Sequence, residues 1–203
     1  MKDIGASDQE DRLYWNRFRN GEEVAFAWIY QRFVRVLYSY GMKINRDSTV
    51  VEDAIQDLFT DLWRTRSQLA EAKSVRFYLF RSLRRKIHRS LRPEDEYTKP
   101  FNPEADYEQP TLDSVEADII SEEEIEIQTT QLKSWLTCLP ARQYEALLLR
   151  YYQDFSYSEI AAIMNISEQG ARNVIQKALH TLRRLAFMVC LLGIGWGLKF
   201  FYS

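Results

Sequence analysis

The stretch of sequence that decides the fold is LPARQYEALLLRYYQDFSYSEIAAIMNISEQGARNVIQKALHTLRRL, residues 139–185. Ser156 is followed three residues later by Glu159, a capping-box pattern in which the two side chains bond amides at the start of a helix. Asn165 suits the left-handed conformation that often ends a helix, and Ser167 suits the N-cap of the next one. The stretch therefore predicts two helices joined by a short turn, a helix-turn-helix.

The second helix of this motif has an apolar side and a polar side. The apolar side is predicted to bury Ala171, Val174, Ile175, Ala178, Leu179 and Leu182. Beside Glu168, the polar side carries the candidate DNA-binding residues Ser167, Gln169, Arg172, Asn173, Gln176 and Lys177. In the major groove Arg and Lys bond guanine while Asn and Gln bond adenine, and each good pair discriminates by about 1–3 kcal/mol. A small helical bundle with a solvated polar face gives the same pattern, so both interpretations stay open.

The bulk composition narrows the class of protein. The chain has 203 residues, 46% of them apolar, which is enough for one large or two small domains. Its two cysteines, Cys138 and Cys190, indicate a reducing compartment without a disulfide framework. Its two histidines, His88 and His180, lie far apart with no other ligand at metal-site spacing. We therefore expect no metal and no cofactor. Since the N-terminus lacks an apolar segment, we also expect no signal peptide and a cytoplasmic location.

Charge is segregated along the chain, although the net charge is only −2. Residues 1–91 carry a net charge of +5, residues 92–131 of −11 and residues 132–203 of +4. Binding to nucleic acid depends on local basic patches rather than on the overall charge. Two basic units joined by an acidic connector are therefore compatible with a DNA-binding protein.

Helical periodicity recurs in the N-terminal part of the chain. Residues 7–10 (SDQE) match a capping box that opens a first helix, which runs to about Arg19 and is broken by Asn20-Gly21. A second helix is predicted from Glu22 to about Lys43. Its predicted apolar face consists of Phe26, Ile29, Tyr30, Phe33, Val36, Leu37 and Tyr40.

The third predicted helix, VVEDAIQDLFTDLW at 50–63, starts at Thr49 and is acidic on one side. Asp53, Asp57 and Asp61 recur every four residues and so form one stripe. The opposite side, which includes Leu58, is predicted to be buried. Like charges at this spacing cost only a few tenths of a kcal/mol, which a solvated face tolerates. A solvated surface and a docking surface for a basic partner both remain open.

The fourth predicted helix, SVRFYLFRSLRRKIHRSLR at 74–92, is basic, and Pro93 ends it. It has no acidic residue and carries Arg76, Arg81, Arg84, Arg85, Lys86, Arg89 and Arg92, with Phe77, Tyr78 and Phe80 at its start. Basic groups attract backbone phosphate, and aromatic rings stack on unpaired bases. The pattern favours a phosphate-binding face over core aromatics with merely exposed cations.

These elements predict an all-α protein made of two small helical domains joined by an acidic linker, the second a helix-turn-helix of the winged-helix type without a wing. The predicted parts are a domain at 1–92, a proline-containing acidic linker at 93–117, a domain at 118–185 and an apolar tail at 186–203. Helix is predicted from about 119 to 137, and Pro140 begins the next helix. The linker is either a solvated tether or an acidic arm that competes for the basic faces.

The tail contains a run of 13 apolar residues, AFMVCLLGIGWGL at 186–198. A membrane-spanning helix needs about 20 such residues, and the glycines at 193, 195 and 197 weaken a helix. Three interpretations stay open: packing on the protein or a partner, weak contact of residues 186–203 with a membrane surface, and a short insertion.

Taken in order, EEVAFAWIYQRFVRVLYSYGMKI, VEDAIQDLFTDLW, the basic helix, the acidic linker and the helix-turn-helix resemble a bacterial sigma factor of the extracytoplasmic-function (ECF) group. The resemblance covers about residues 22–185, and the D-A-x-Q-[DE]-x-F-x-x-L-W helix is its most specific part. It implies a transcription initiation factor, not an enzyme, that binds bacterial core RNA polymerase and promoter DNA. It also implies control by an anti-sigma factor, which in this family is usually membrane-bound.

The resemblance implies a role for each surface. The polymerase-binding set is Asp53, Gln56, Asp57, Leu58 and Trp63, to which Asp61 is added from the acidic stripe. The set for the minus-10 promoter element, where the family flips a base out of the stack, is Arg76, Phe77, Tyr78, Arg81, Arg84, Arg85, Lys86 and Arg89. The set for the minus-35 element is Ser167, Gln169, Arg172, Asn173, Gln176 and Lys177.

The chain departs from the family at two places within the helices, and the apolar tail at 186–198 is a third departure. Arg85 and Arg89 stand where the family often has Asn and Asp, and 170–174 reads GARNV where the family usually has Gly-Thr-Val-Lys-Ser. The promoter sequence therefore cannot be transferred from the family. The alternative functions are a stand-alone helix-turn-helix regulator and an adaptor held at a membrane surface by the tail.

Overall fold

The computed structural model describes residues 4–90, 136 and 138–201, and the side chains of residues 8–90, 136 and 138–186. The described residues form helices and turns without a strand, which confirms the all-α prediction. The chain divides into two compact units. The predicted linker at 93–117 and nearly all of the predicted helix at 119–137 lie outside the described residues.

The first unit contains four helices, as predicted. Helix α1 spans Ile4–Arg19, α2 Glu23–Ile44, α3 Ser48–Thr65 and α4 Val75–Ser90. A 3₁₀ turn, Arg66–Gln68, follows α3.

Helix α1 begins earlier than predicted. The capping box placed at 7–10 was wrong, because the helix runs through these residues from Ile4. A serine inside a helix costs only about 0.5 kcal/mol relative to Ala, so a capping pattern does not prevent a helix from extending upstream. The predicted break after Arg19 is confirmed. Gly21 has φ +92°, and its N–H donates to the carbonyl of Phe18 at 2.8 Å.

Side-chain caps set where α3 and α4 begin. The Asp47 carboxylate accepts hydrogen bonds from the N–H groups of Thr49 (2.9 Å) and Val50 (3.4 Å). Such a cap stabilises a helix by about 1 kcal/mol, and it places the start of α3 one residue before the predicted Thr49. The Ser74 hydroxyl accepts from the N–H of Phe77 at 3.2 Å, so the predicted start of α4 is confirmed.

The apolar faces of α1 to α4 build the core of the first unit. Its largest fully buried side chains are Trp15, Phe18, Ile29, Leu37, Tyr40, Leu79, Phe80, Leu83 and Ile87. One acid, Asp11, is buried with them and pairs with Arg32. Burial raises the pKa of Asp11, while the Arg32 charge and hydrogen bond oppose that rise. The apolar core thus includes the Asp11–Arg32 ion pair at the α1–α2 contact.

Helices α2 and α3 approach closely at Gly41. A Cβ added to this buried glycine would lie 2.5 Å from Cγ1 of Val51 and 3.4 Å from Cδ1 of Ile87. Val51 is β-branched and has one strongly preferred rotamer in a helix, so it has little freedom to move aside. The glycine therefore fixes the distance between the two helices.

We expect Gly41→Ala to lower the free energy of unfolding of the first unit by up to about 2 kcal/mol. Overpacking costs about 1–3 kcal/mol, which exceeds the gain of about 1 kcal/mol from replacing a helical Gly by Ala. In a Val51→Ala background the main clash is absent, so the same substitution should become stabilising. Urea denaturation followed by tryptophan fluorescence measures both effects. The same sign in the two backgrounds would contradict the close approach.

The second unit contains the predicted helix-turn-helix. Helix α5 spans Ala141–Leu147, with Pro140 at its N-cap position, and continues into a π-helical turn, Leu148–Tyr152. Helix α6 spans Tyr157–Met164 and α7 spans Glu168–Phe201.

The capping signals of this motif are confirmed. The Glu159 carboxylate accepts from the N–H of Ser156 at 2.9 Å, and the Ser156 hydroxyl accepts from the N–H of Glu159 at 3.3 Å. Asn165 has φ +54°, the left-handed conformation expected of it. The Ser167 hydroxyl accepts from the N–H of Gly170 at 3.0 Å. Local hydrogen bonds therefore fix the starts of α6 and α7, and the left-handed Asn165 follows the end of α6.

The tail continues α7 rather than starting a new element. The helix is unbroken from Glu168 to Phe201, through the three glycines that were expected to weaken it. Among the helices of the described ranges, none has the length and apolarity needed to cross a membrane. Tail side chains from residue 187 onward lie outside the described set, so the interpretations of the tail stay predictions.

Candidate nucleic-acid interface

The outer side of α3 is acidic and accessible. Asp53 and Asp57 are exposed, as are the neighbouring Glu52 and Gln56. Leu58, assigned to the polymerase-binding set, is only 2% exposed and supports the helix from inside the core. Trp63 is half-buried, and the guanidinium of Arg66 lies 4.4 Å from its ring centroid.

The third member of the acidic stripe, Asp61, is engaged inside the domain. One carboxylate oxygen accepts from Nζ of Lys86 on α4 at 2.7 Å, and the other accepts from Arg64 at 2.7 Å. The hydrogen bond from Lys86 is the main reason that the pKa of Asp61 lies below its usual value. The spacing predicted one stripe of three equivalent acids. Among the hydrogen bonds of the described residues, Asp61 is linked to α4, whereas Asp53 and Asp57 are not.

Beside the acidic side of α3 lies a groove of about 640 Å³ between α2 and α3. Its lining includes Glu52 and Gln56 of α3 with Tyr30, Val34 and Tyr38 of α2. Tyr30 was predicted in the buried face of α2, but its side chain is 43% exposed. Sequence reasoning missed this groove; the signal was the four-residue spacing of Tyr30, Val34 and Tyr38 beside the core positions.

The outer side of α4 is basic. Arg81, Arg85 and Arg89 are exposed and recur every four residues, so they form one stripe along the helix. Lys86 is half-buried and bonded to Asp61. The stripe presents three guanidiniums in a row, a spacing that suits successive phosphates of a nucleic-acid backbone.

The remaining minus-10 candidates are less accessible. Arg84 is only 3% exposed, so the structure does not place it on the exposed face where it was predicted. It lies one turn after the buried Phe80 and three residues before the buried Ile87, so it shares the core side of α4. Arg76, Phe77 and Tyr78 are half-buried, and the Tyr78 ring lies 5.2 Å from the ring of Trp15. Phe80 belongs to the core, as one of the two interpretations of these aromatics required.

The polar side of α7 is exposed as predicted. All six candidates for the minus-35 element, Ser167, Gln169, Arg172, Asn173, Gln176 and Lys177, are accessible. Ala171, Ile175 and Ala178 are buried on the other side, whereas Val174, Leu179 and Leu182 are half-buried. The helix thus rests on small and branched residues and presents a row of guanidinium, ammonium and amide groups.

Two side-chain pairs join successive turns at the start of α7. Arg172 forms an ion pair with Glu168, and the Gln169 amide donates to the Asn173 side-chain oxygen at 3.0 Å. The guanidinium of Arg172 also lies 4.5 Å from the ring centroid of Tyr157 on α6. The sequence identified the polar row but not these contacts.

The described part of the chain contains no group of three His, Cys, Asp or Glu side chains that could hold a metal ion. The described helices instead present stripes of like charge on α3 and α4 and a row of polar side chains on α7. Such surfaces suit contacts with macromolecules.

Comparisons with known proteins agree with this arrangement. Residues 29–96 match the family model described as Sigma-70 region 2, and residues 130–182 match Sigma-70, region 4. The ECF RNA polymerase sigma factor SigM of Bacillus subtilis (strain 168) is 23% identical over 158 residues, which is 77% of this chain and 92% of that protein.

Two solved structures share the fold. One is CnrH in complex with the cytosolic domain of CnrY, with a TM-score of 0.57 and 19% identity, covering 88% of this chain and 97% of that one. The other is the sigma factor RpoE in complex with the anti-sigma factor NepR from Bartonella quintana, with a TM-score of 0.57 and 19% identity, covering 79% and 96%.

The chain carries both regions of the sigma-70 family in the expected order. It belongs to the extracytoplasmic-function group of that family, whose members are transcription initiation factors. The expectation drawn from the resemblance is confirmed at the level of family and general function.

We expect the Asp61–Lys86 pair to contribute no more than about 1 kcal/mol, because both groups are partly exposed. A double-mutant cycle with Asp61→Asn and Lys86→Met measures this coupling by urea denaturation. A lowered aspartate pKa stabilises the fold above the ordinary value of about 3.9. The coupling should therefore be equal at pH 7 and pH 5 and should fall only as the pH drops below about 4.

Asp57→Asn is the matched control for that cycle, since Asp57 is an exposed acid one turn earlier on α3. It should show no coupling to Lys86. Equal coupling for Asp57 and Asp61 would mean that the whole acidic side acts through its general field instead of through one bond.

Proposed function

We propose that this chain binds bacterial core RNA polymerase through the first unit and directs it to promoters that carry a minus-10 and a minus-35 element. The observation that carries the proposal is the pair of exposed stripes of opposite charge on α3 and α4 of one unit. A domain that must bind both a protein and DNA needs two such surfaces, because phosphates repel the acidic one.

The acidic side of α3 is our candidate for the polymerase contact. Asp53, Gln56 and Asp57 are exposed next to the α2–α3 groove, and Trp63 lines its other end. Charges around an apolar groove match the usual anatomy of a protein interface, in which the rim steers association and the apolar centre supplies affinity. We leave Leu58 and Asp61 out of the contact set, since one is buried and the other is bonded to Lys86.

The basic side of α4 is our candidate for the minus-10 element. Arg81, Arg85 and Arg89 supply the charge, while Phe77 and Tyr78 supply partly exposed rings at the start of the helix. Because Arg85 and Arg89 bear charge where the family often has Asn and Asp, we infer that this chain relies more on phosphate contacts there. The polar side of α7 would then read the minus-35 element in the major groove.

We further propose that an anti-sigma factor holds the chain inactive. This proposal is supported by analogy, because one solved relative of the same fold is bound to the anti-sigma factor NepR. The groove between α2 and α3 is the open apolar surface of the first unit that such a protein could cover. Polymerase and anti-sigma factor would then compete for one surface. Since polymerase and promoters lie inside the cell, we place the function in the cytoplasm.

The polymerase contact predicts a charge-reversal effect. Asp57→Arg should weaken retention of sigma-free core polymerase by about tenfold or more, because juxtaposed like charges cost several kcal/mol. The measurement is a pull-down at several polymerase concentrations with the full chain. Glu71→Arg, which reverses an equally exposed acid outside α3, is the control and should retain polymerase. If wild type retained none, a stand-alone DNA-binding regulator would be the better interpretation.

The DNA contact predicts a salt effect. Arg85→Ala should reduce the slope of log K against log salt concentration for promoter binding by the reconstituted holoenzyme. The reduction should be about 0.7–0.9, the contribution of one phosphate contact. Arg12→Ala, an exposed arginine of α1, should leave the slope unchanged. Identical slopes for the Arg85 variant and wild type would remove Arg85 from the interface.

A further inference from the structure

The guanidinium of Arg172 is held by two neighbours before any DNA is present. One of its terminal nitrogens donates to a carboxylate oxygen of Glu168, and the guanidinium carbon Cζ lies 4.5 Å from the ring centroid of Tyr157. The side chains of Arg172 and Glu168 are about half exposed, 46% and 49%. The group is therefore oriented but still accessible to a ligand.

Both neighbours are themselves fixed by the local fold. Glu168 is the first residue of α7, one turn before Arg172, where the helix dipole favours a negative charge. Tyr157 is the first residue of α6, directly after the capping box of Ser156. A second guanidinium, that of Arg150, lies 5.0 Å from the same ring and donates to the carbonyl of Phe155 at 2.9 Å. The Tyr157 ring is thus fixed from the α5 side as well.

These contacts leave a defined part of the guanidinium for a ligand. Arginine has five N–H donors in a planar fork, and Glu168 takes one of them. Contact with the tyrosine ring occupies part of a face, so it leaves the edges accessible. Bidentate recognition of guanine O6 and N7 needs two donors on one edge. An arginine held in this way can offer that edge without first losing rotamer freedom.

The cost of this arrangement is a carboxylate on the surface that meets DNA. Glu168 lies on the same exposed side as Gln169, Arg172 and Asn173, and it repels phosphates while contributing no donor to a base. An acid in this place lowers affinity for DNA of any sequence. It can raise selectivity by accepting from a cytosine amino group or by acting through Arg172, and its ion pair with Arg172 favours the second route.

We propose that Glu168 and Tyr157 are positioning residues that set Arg172 to read one guanine of the minus-35 element. Both make discrimination at that base pair greater, and the charge of Glu168 also makes binding to other DNA weaker. The proposal rests on the proposed function, in which the polar side of α7 enters the major groove. Neither residue needs to touch the base.

The test is selection of promoter DNA with a randomised minus-35 element by the full chain, both as reconstituted holoenzyme and as free protein. Arg172→Ala first identifies the base pair that Arg172 reads, as the position that loses its guanine preference. Glu168→Gln should lower the preference at that same position by about fivefold or more, the lower end of one good arginine–guanine pair. Its affinity for unrelated duplex should rise by roughly two- to threefold at low salt, since one repelling charge is gone.

Matched variants separate positioning from general charge and from folding. Asp154→Asn removes another exposed acid of the same unit, at a residue whose φ of +52° Asn tolerates, and should leave the preference intact. Tyr157→Phe keeps the ring and should behave as wild type, whereas Tyr157→Leu should lose the same guanine. Thermal melting of each variant checks that α6 and α7 remain folded.

Each outcome decides the matter. Loss of the same guanine in the Glu168→Gln and Tyr157→Leu variants supports the proposal. A Glu168→Gln variant that binds all DNA more tightly with an unchanged preference overturns it, because Glu168 would then only repel phosphate. If wild type selects no sequence in either form, both the proposal and the DNA-reading part of the proposed function fail. If wild type selects a motif that none of these variants alters, the proposal alone fails.

Discussion

The close approach of α2 and α3 at Gly41 is the constraint on which the first unit depends. Because no Cβ separates the helices, Val51 of α3 packs directly against the α2 backbone. That contact fixes the rotation of α3 about its own axis. With Val51 inward, Asp53 and Asp57 must point outward, and the groove beside Tyr30 must open on the same side. The exposure of the acidic side of α3 is thus a consequence of core packing.

The periodicity of the sequence predicted the helices and most of their ends, since local forces decide these features. The capping box at Ser156, the left-handed turn at Asn165 and the cap at Ser167 depend on residues no more than three positions apart. The polar side of α7 follows from the position of one apolar stripe on the same helix. The start of α1 was missed because a capping pattern permits a helix start without requiring one.

Contacts between helices could not be predicted in the same way. Asp61 and Asp57 are equivalent in the acidic stripe, and the link of Asp61 to another helix depends on the position of Lys86, 25 residues later. Arg84 and Arg85 are adjacent in the same basic run, yet one is buried and the other exposed. In a highly charged helix the sequence only weakly indicates which basic residues face the core. A long basic side chain tolerates a buried or an exposed position, because its apolar stem can be buried.

The roles proposed for the α4 stripe and for the polar side of α7 place different demands on their side chains. On α4, Arg81 and Arg85 are exposed, which suits phosphates that recur at similar spacing whatever the sequence. On α7, Arg172 is fixed by an acid and a ring, and Asn173 by Gln169. Base edges offer donors and acceptors in one plane at fixed distances, so a mobile side chain discriminates poorly among them. Recognition of a base sequence therefore requires side chains in fixed positions, whereas affinity for phosphate does not. The side chains held by their neighbours lie on α7, the helix proposed to read bases.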